Sequence, residues 1–575
     1  MKHNVLPLTL ALLFAACSRG PAPPAAAPTA PVASAPAAPK VSPVPPAAEV
    51  AAAVVSPDFL SAGIKELSDD RYGGRGPATA GDNLARKWIA TQMLSLGLEP
   101  GGVNDSYEQP FDIIGLDVKL PAAWHFSAGN TALDLKLRDD FVATAGMQKP
   151  KGGFRDAEVV FVGYGIQAPE YQWDDFKGMD LKGKVLLMLN NDPDWDDALF
   201  AGKTRLYYGR WEYKYESAAR QGAVAAIIIH TTPSAGYPFQ VLQTSNSGEQ
   251  FELPAGREPR LQLNAFVTED KARQLAQLGG QDLAKLVEAA KSRDFRPVPL
   301  GVKTSLAFTT TISKKATANV AGLLRGSDPK LAKEVVIYSA HHDHLGTGEP
   351  DAKGDRIYNG ALDNASGVVQ ILAVAKAFRA LPERPRRSVL VLAVAGEEQG
   401  MLGSRYYAAH PTFAPGRIAA NFNVDEGNVY GRAADIQFIG KGKSTLDAVI
   451  GKYAAYQDRI VQPDQMPDRG YYYRSDQFAF AKIGVPAFYQ EKALEFKGRP
   501  PGWGKERVEE YEANRYHQPS DEWSPSWTYE GMIEDVQLLF WSGLEIANTD
   551  ALPAWTPGDE FEAARKAALA ALKGR

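Results

Sequence analysis

Short apolar runs alternate with amphipathic segments in the C-terminal half of the chain. Four of these runs predict buried strands, at residues 335–339, 388–394, 420–424 and 485–489. Between the first two runs, apolar side chains recur every three or four residues from Val368 to Phe378, which is the spacing of one helix face. Strands that alternate with helices predict a mostly parallel mixed sheet between two layers of helices, a three-layer α/β/α core.

Two other patterns precede this core. Residues 57–69 and 81–97 predict helices, joined by the glycine-rich turn 69–76, which we interpret as a connector. The segment 151–298 shows no acid–base or metal-type cluster, and we interpret it as a small, β-rich α/β domain inserted into the chain. Its predicted elements are strands at 158–164, 184–189 and 223–230 and a helix at 210–221.

The N-terminus predicts an export signal. A basic start precedes the apolar run 5–14, which is too short to span a bilayer as a mature helix. Cys17 follows, where a lipoprotein signal would be cut and its new end acylated, so residues 1–17 resemble a bacterial lipobox. Phe14 departs from the usual aliphatic residue there, and an ordinary secretory signal is the alternative. We expect an exported protein, periplasmic or anchored to the outer membrane of a bacterium through a lipid on Cys17.

Length and composition limit the classes of protein to consider. A chain of 575 residues predicts about three domains, and 45% apolar with 23% charged residues is typical of globular proteins. The net charge of −5 gives no basic surface for nucleic acid, and a single cysteine excludes an intramolecular disulfide. Nothing indicates an oligomeric state. The predicted division is a signal peptide (1–17), a Pro/Ala-rich tether (18–56), the N-terminal part of a catalytic domain (57–150), the insertion (151–298), the main catalytic domain (299–550) and a C-terminal helix (551–575).

Metal-type side chains follow three of the predicted strands. His341 follows the run 335–339, and Asp425 follows the run 420–424. Glu397 and Glu398 follow a third predicted strand, 388–394. Ligands of open α/β sheets bind beyond the carboxyl ends of the strands, so we expect these side chains at one rim. Imidazole and carboxylate ligands suit zinc and similar first-row metals.

Further residues complete a predicted two-metal site. A bridging group must hold two ions ~3.5–4 Å apart, and Asp363, just before a helix, is the candidate. Asp343 can accept a hydrogen bond from the second ring nitrogen of His341 and fix the ring. Consecutive residues of an extended segment point in opposite directions. One of Glu397 and Glu398 can therefore bind metal, while the other takes a proton from a metal-acidified water and passes it to a leaving amine.

Five motifs carry a resemblance to a known family. They resemble the family 28 di-zinc metallopeptidases, which include aminopeptidase Y, bacterial leucyl aminopeptidases and glutamate carboxypeptidase II. The resemblance extends over about residues 57–545, and it implies the zinc-exopeptidase (phosphorylase/hydrolase-like) fold. The insertion is similar to the protease-associated (PA) domain of many members, through 160–166 and 218–223. The five motifs, in the family's order, are SAHHDHLG at 339–346, LDNASG at 362–367, GEE at 396–398, NVD at 423–425 and YH at 516–517.

The resemblance implies a set of metal ligands for two Zn²⁺ ions. It implies that His341 and Asp425 bind one ion. It implies that Glu398 and His517 bind the other, with Asp363 bridging the two. In contrast, His342 and His344 need no function, and we expect them at the surface or behind the ligands.

It also implies the residues that act on a peptide substrate. Glu397 is implied as the general base, and Asp343 as the group that orients His341. Tyr516 is implied to steady the oxyanion of the tetrahedral intermediate, and Arg474 to lie near the substrate. Family members often carry histidine where Gln477 stands, which weakens the match around Arg474.

Three functions are compatible with these residues. The resemblance favours an exported zinc exopeptidase, an aminopeptidase that cleaves N-terminal peptide bonds by metal-bound hydroxide with a Glu general base. A carboxypeptidase or dipeptidase of the glutamate carboxypeptidase II type is an alternative with the same fold. The third candidate is a non-catalytic binding protein with this architecture. The presence of every predicted metal ligand favours an enzyme over a binding protein.

Overall fold

The computed structural model describes residues 42–573, except for 198 and 247. The predicted signal peptide, Cys17 and the tether up to residue 41 lie outside the described residues. Within the described part, no single helix is long and apolar enough to cross a membrane. Among residues 42–573, one pair of helices, Pro46–Ala52 and Pro57–Leu67, passes that test jointly, with a 45° bend between the two.

The elements of the described chain follow the predicted alternation from residue 298 onward. The α-helices are α1 Pro46–Ala52, α2 Pro57–Leu67, α3 Ala80–Ser95, α4 Trp211–Arg220, α5 Thr232–Ala235, α6 Phe239–Ser245, α7 Glu269–Leu278, α8 Leu283–Ala289, α9 Ser366–Arg379, α10 Leu402–Ala409, α11 Leu446–Tyr456, α12 Gln477–Lys482, α13 Trp503–Asn514, α14 Glu530–Asn548 and α15 Glu562–Lys573. The strands are β1 Glu99–Pro100, β2 Glu108–Lys119, β3 Ala123–Ala128, β4 Thr131–Lys136, β5 Phe141–Ala145, β6 Lys151–Phe161, β7 Gln167–Ala168, β8 Trp173–Asp174, β9 Val185–Leu189, β10 Ala225–His230, β11 Gln250–Glu252, β12 Leu263–Thr268, β13 Val298–Leu324, β14 Val335–His341, β15 Gly346–Thr347, β16 Ile357–Tyr358, β17 Ser388–Val394, β18 Ile418–Val424, β19 Asp435–Ile439, β20 Ile460–Pro463 and β21 Ala487–Glu491.

A mixed sheet forms the centre of the C-terminal half, in the order β13–β17–β14–β18–β21–β19–β20. Its four inner strands, β17, β14, β18 and β21, are parallel, whereas β13 and β19 run antiparallel to their inner neighbours. Parallel strands need helical crossovers that cover both faces of the sheet. The predicted mostly parallel mixed sheet is therefore confirmed.

Strand β14 shows why the sheet is buried on both sides. Val336, Tyr338 and Ala340 belong to the core that contains α9 and α14. The alternate residues Val335 and Ile337 belong to a separate core on the opposite face, with side chains of α10 and the α12 region. Successive strand residues point to opposite faces, so a continuous apolar run feeds both cores. This gives the three-layer α/β/α architecture.

A second unit is built around β6, β9, β10 and β12, which are parallel neighbours in that order. Strand β13 joins it to the central sheet, because its first half pairs with β6 and its last residues pair with β17. The predicted start of this unit at residue 151 is too late. Trp124, Phe126 and Phe141 are buried in the same core as Phe161 and Ile227, and β5 pairs with β12.

The predicted tether also ends too late. Residues 46–52 form α1, in which Ala48, Ala51 and Ala52 are buried in the α9–α14 core, and Val55 follows them there. Alanine favours helix, and its small side chain lets α1 approach the core closely. Residues 46–56 of the predicted tether therefore contain a packed helix of seven residues, and the expectation of a tether that runs to residue 56 was wrong there.

Candidate metal centre

Strand register brings the predicted ligands to one rim of the sheet. His341 ends β14 and pairs with Val394, the last residue of β17, so Glu397 and Glu398 leave the sheet beside it. On the other side of β14, Ser339 pairs with Asn423, which places Asp425 just beyond the same edge. Three strands thus end together, as their order along the chain predicts.

The first donor group surrounds His341. Its Nε2 atom lies 3.0 Å from Asp425 Oδ1 and 3.3 Å from Asp363 Oδ1. The imidazole is 1% exposed. Burial opposes a charged imidazole, but the nearby carboxylates outweigh it and raise the pKa of His341 well above its ordinary value. A buried imidazole beside two carboxylates is a donor set that fits a divalent cation.

The second donor group lies on the other side of Asp363. His517 Nε2 is 2.9 Å from Glu398 Oε2 and 3.4 Å from Asp363 Oδ2. The two carboxylate oxygens of Asp363 therefore face different histidines, Oδ1 toward His341 and Oδ2 toward His517. Such an arrangement suits a bridging ligand.

The other two histidines of the first motif are completely buried, which excludes the surface placement and leaves the other expected placement, behind the ligands. His342 Nε2 is 3.1 Å from Asp82 Oδ1, on helix α3 behind the site. His344 Nδ1 is 2.6 Å from Glu398 Oε1 and 4.0 Å from Asp363 Oδ2. Donor atoms of His344, Asp363 and Glu398 lie close enough together to share one ion. His344 thus belongs to the centre itself.

Asp343 reaches His341 through its backbone. His341 Nδ1 lies 3.2 Å from the Asp343 carbonyl oxygen, whereas the nearer carboxylate oxygen is 3.8 Å away. The carboxylate instead accepts hydrogen bonds from the backbone N–H groups of Glu397 and Glu398, at 3.1 and 3.3 Å. Asp343 therefore ties the GEE turn to the His341 loop, an arrangement different from the predicted contact between the carboxylate and the ring.

The loop that carries Asp363 is held from beneath. Asp521, which is 1% exposed, accepts hydrogen bonds from the N–H groups of Leu362 and Asp363. Asn364 Nδ2 donates to the Val424 carbonyl at 3.0 Å, which joins this loop to the end of β18. Both contacts satisfy buried backbone groups that water cannot reach.

Arg75 binds both the loop of His342 and the loop of Asn359 and Gly360. The sequence analysis did not predict this function for Arg75. Its guanidinium donates to the carbonyls of His342, Leu67, Asn359 and Gly360. Burial lowers the pKa of Arg75 to about 10, opposed by nearby carboxylates that include Asp343. Five fixed N–H donors make arginine suited to bind several carbonyls together.

The glycine-rich turn that we interpreted as a connector therefore carries a supporting residue. Gly74 adopts a φ of 68°, and a Cβ atom there would lie 2.3 Å from the Gly346 carbonyl oxygen. Glycine is required where backbones approach so closely in a left-handed conformation. This turn is the one signal in the sequence that could have pointed to Arg75.

A chain of buried polar side chains orients Asp425. Ser475 Oγ donates to Asp425 Oδ2 at 2.7 Å, and Asn423 Nδ2 donates to Ser475 at 2.9 Å. Asn423 also donates to Gln477 Oε1 at 3.2 Å, and Ser339 donates to Asn423 Oδ1 at 2.7 Å. Gln477 is completely buried. It holds Asn423 rather than facing a substrate.

Tyr516 and Arg474 line a cleft beside the candidate metal centre. The ring of Tyr516 stacks on His517 with 3.9 Å between centroids. The guanidinium of Arg474 lies over the rings of Tyr237 and Tyr471, at 5.4 and 5.2 Å. A cleft of about 260 Å³ lies between the second unit and the metal centre, and residues of both line it. Its lining includes Tyr237, Phe251, Glu397, Arg474, Tyr516 and His517.

The donor set fits metal ions. Two groups of His, Asp and Glu atoms within 4.8 Å of one another are found among the described residues, and both contain Asp363. Glu398 Oε1 is buried without a hydrogen-bond partner in this part of the chain, although His344 Nδ1 lies near it. Acidic groups packed this closely need a positive charge to compensate them. The roles of the individual residues stay predictions.

Comparisons with known proteins agree with this geometry. Residues 319–541 match the model of peptidase family M28. A protein of Leptosphaeria maculans named "Probable zinc metalloprotease" is 35% identical over 108 residues, 19% of this chain and 24% of that protein. The "probable leucine aminopeptidase 2" of Aspergillus oryzae is 27% identical over 252 residues, 42% of this chain and 45% of that protein. The chain spans a quarter or less of the first curated relatives that it matches.

A solved structure shares the fold over most of the chain. The aminopeptidase from Aneurinibacillus sp. strain AM-1 superposes with a TM-score of 0.51 and 18% identity, covering 88% of this chain and 97% of that one. At this identity the likeness concerns the fold alone. The match to the family model covers residues 319–541, which contain His341, Asp363, Glu398, Asp425 and His517. Residues 319–541 therefore form a domain that matches peptidase family M28.

Proposed function

We propose that the chain is a zinc-dependent exopeptidase, and that it acts as an aminopeptidase. One observation supports this most directly. The Asp363 carboxylate lies between two separate donor groups, with one oxygen toward His341 and the other toward His517. A site of this kind can hold two ions a few ångströms apart, and imidazole with carboxylate donors suits zinc.

The ligands proposed for one ion are His341 and Asp425, and those for the other are Glu398 and His517, with Asp363 shared. When bound, such ions would polarise the scissile carbonyl and acidify a water molecule. His344 adds a further buried nitrogen on the Glu398 side, 2.6 Å from that carboxylate. It is a candidate for an additional ligand or a partner that orients Glu398.

Glu397 is the proposed general base. Its backbone N–H is fixed by Asp343, and its side chain lines the cleft beside Glu398. The donor groups around Asp363 include Glu398 and not Glu397, so Glu398 can face the metal position while Glu397 faces the substrate. There it takes a proton from the attacking water and delivers it to the departing amine nitrogen.

Tyr516 and Arg474 are proposed to hold the substrate. Tyr516 stacks on His517 and lines the cleft, and a tyrosine hydroxyl there can donate to an oxygen that gains negative charge. Arg474 lines the same cleft and offers a planar set of donors. These groups can bind substrate carbonyl oxygens on either side of the scissile bond.

Arg474 also supports a second candidate, a carboxypeptidase or dipeptidase. A guanidinium pairs well with a terminal carboxylate, and Arg474 lines the cleft. A purely binding function is less well supported, because a complete donor set is present. We further propose that the chain is exported and lipid-anchored at Cys17, which labelling with a fatty-acid analogue would test against Cys17→Ser.

A peptide panel with metal analysis tests the proposal. Purified protein is assayed on peptides with free N-termini, with blocked N-termini and with varied C-termini, before and after chelation. We expect cleavage of free-N-terminal peptides only, loss of activity with the chelator, and recovery when two zinc ions per chain are restored. Cleavage of blocked peptides that requires a free C-terminus would favour the carboxypeptidase. Full activity in metal-free protein would exclude both.

A further inference from the structure

Helix α6 of the second unit reaches the candidate metal centre. Its last residue, Ser245, places its Oγ atom 2.8 Å from His517 Nδ1. One turn earlier on the helix, Gln240 donates to Gln518 Oε1 at 3.3 Å. Helix α6 thus contacts two successive residues of one loop, His517 and Gln518. These contacts join parts of the chain that lie 272 and 278 positions apart.

The two metal-type histidines are supported differently. His341 has its Nδ1 atom next to the carbonyl of Asp343, two residues away in the same loop. His517 has its Nδ1 atom next to a hydroxyl supplied by the second unit. An imidazole that binds a metal through Nε2 carries its hydrogen on Nδ1, and the acceptor at that hydrogen sets the ring orientation. Ser245 occupies this acceptor position.

The contact with Ser245 determines which nitrogen of the His517 ring faces the metal position, because the stacking contact with Tyr516 does not. Tyr516 stacks on one face of the imidazole, which confines the ring plane. Stacking does not distinguish the two nitrogens, because a ring turned over by 180° would stack equally well. The hydrogen bond to Ser245 does distinguish them, and it directs Nε2 toward Glu398 and Asp363.

Resting on the proposed function, we infer that Ser245 is a positioning residue for one of the two metal positions. Its hydroxyl accepts the Nδ1–H of His517 and holds Nε2 toward the ion that Glu398 shares. The position formed by His341 and Asp425 has its own support and does not depend on α6. The second unit therefore does more than line the cleft, because it tunes the metal affinity of one half of the centre.

Metal release from matched variants tests this inference. Ser245→Ala removes the hydroxyl, and Ser245→Thr restores it. Thr244→Val is the control, because the Thr244 hydroxyl donates to the carbonyls of Val241 and Gln240 within the same helix. Zinc transfer to a chromophoric chelator is followed for each protein loaded with zinc, and denaturant unfolding of the metal-free forms checks folding.

We expect two ions of similar retention in the wild type, Ser245→Thr and Thr244→Val. In Ser245→Ala, one ion should be released roughly 10- to 100-fold more readily while the other is unchanged. Peptidase turnover should fall and should recover in excess zinc. Identical release of both ions in Ser245→Ala, or equal weakening of both, would overturn the inference. Wild-type protein that binds no zinc would instead refute the proposed function.

Discussion

Asp521 Oδ2 accepts a hydrogen bond from the backbone N–H of Asp363, at 3.0 Å. The same carboxylate accepts from the N–H of Leu362 and from the hydroxyl of Tyr511. One buried acid thus holds the backbone of the residue that stands between the two donor groups. The position of Asp363 depends on a contact made 158 residues further along the chain.

We expect Asp521→Asn to loosen this loop. The amide keeps one acceptor oxygen, but it places an N–H₂ group against backbone N–H donors that would lose their partner. An unsatisfied buried donor costs about 1–3 kcal/mol, so the free energy of unfolding of the metal-free protein should fall by that amount. Tyr511→Phe, which leaves the backbone donors satisfied, should cost less. Denaturant titration of both variants checks the order, and equal losses would contradict it.

Glu397→Gln should separate metal binding from turnover. The variant keeps the shape of the side chain but cannot accept a proton, so peptide turnover should fall by ~10²–10⁴-fold. Zinc content should match the wild type, because Glu397 is not among the proposed ligands. Glu383→Gln, an exposed change in the loop after α9, is the control. Wild-type turnover in Glu397→Gln would remove Glu397 from the mechanism.

Arg75→Lys should show that one guanidinium supports two loops. Lysine keeps the charge but cannot reach four carbonyls at once, and buried charge-assisted hydrogen bonds would be lost. We expect the free energy of unfolding to fall by about 3 kcal/mol. Arg71→Lys, in the same turn but exposed, should change it little. Thermal or denaturant unfolding measures both, and similar stabilities for the two variants would argue against this support.

His230 should give the protein a specific acid sensitivity. The ring ends β10, is 4% exposed and packs against Tyr237 and Phe239. Burial lowers the pKa of His230 from 6.5 to about 4. Between these two values the unfolded chain binds more protons than the folded one. Stability from this group is therefore complete above pH 6.5 and is lost as pH falls toward 4, by about 3 kcal/mol.

His230→Phe should remove that part of the pH dependence. Free energies of unfolding are measured at pH 7 and pH 4.5 for the wild type, for His230→Phe and for His125→Gln, an exposed control on β3. The loss between the two pH values should be smaller in His230→Phe than in the other two proteins. An unchanged loss would mean that other groups cause the acid sensitivity.

Ala51→Asp should test the packing of α1. Ala51 is completely buried in the α9–α14 core, whereas Ala53, just past the helix, is exposed. An unpaired buried carboxylate should lower the free energy of unfolding by about 3 kcal/mol. Ala53→Asp is expected to be near neutral. Equal stability of the two variants would mean that residues 46–52 do not pack as described.

Local pattern was sufficient to predict most elements of the central sheet and the rim that its strands share. The apolar runs at β14, β17 and β18 were found within one or two residues, because side-chain periodicity is a property of neighbouring residues. Parallel strands then place His341, Glu398 and Asp425 together by geometry alone. Composition was less reliable, since the Ala-rich stretch at α1 was taken for part of a tether.

The sequence by itself determined which residue types stand at the strand ends, and with them the metal-type chemistry of the rim. Tertiary structure decided how those residues are held. His342 and His344 are buried, and Arg75 and Ser245 reach the centre across 267 and 272 positions of sequence. Such contacts leave no local signal, because a hydrogen bond between distant loops depends on packing that brings both loops together. Periodicity fixes which face of an element is buried, but only the assembled fold fixes what that face meets.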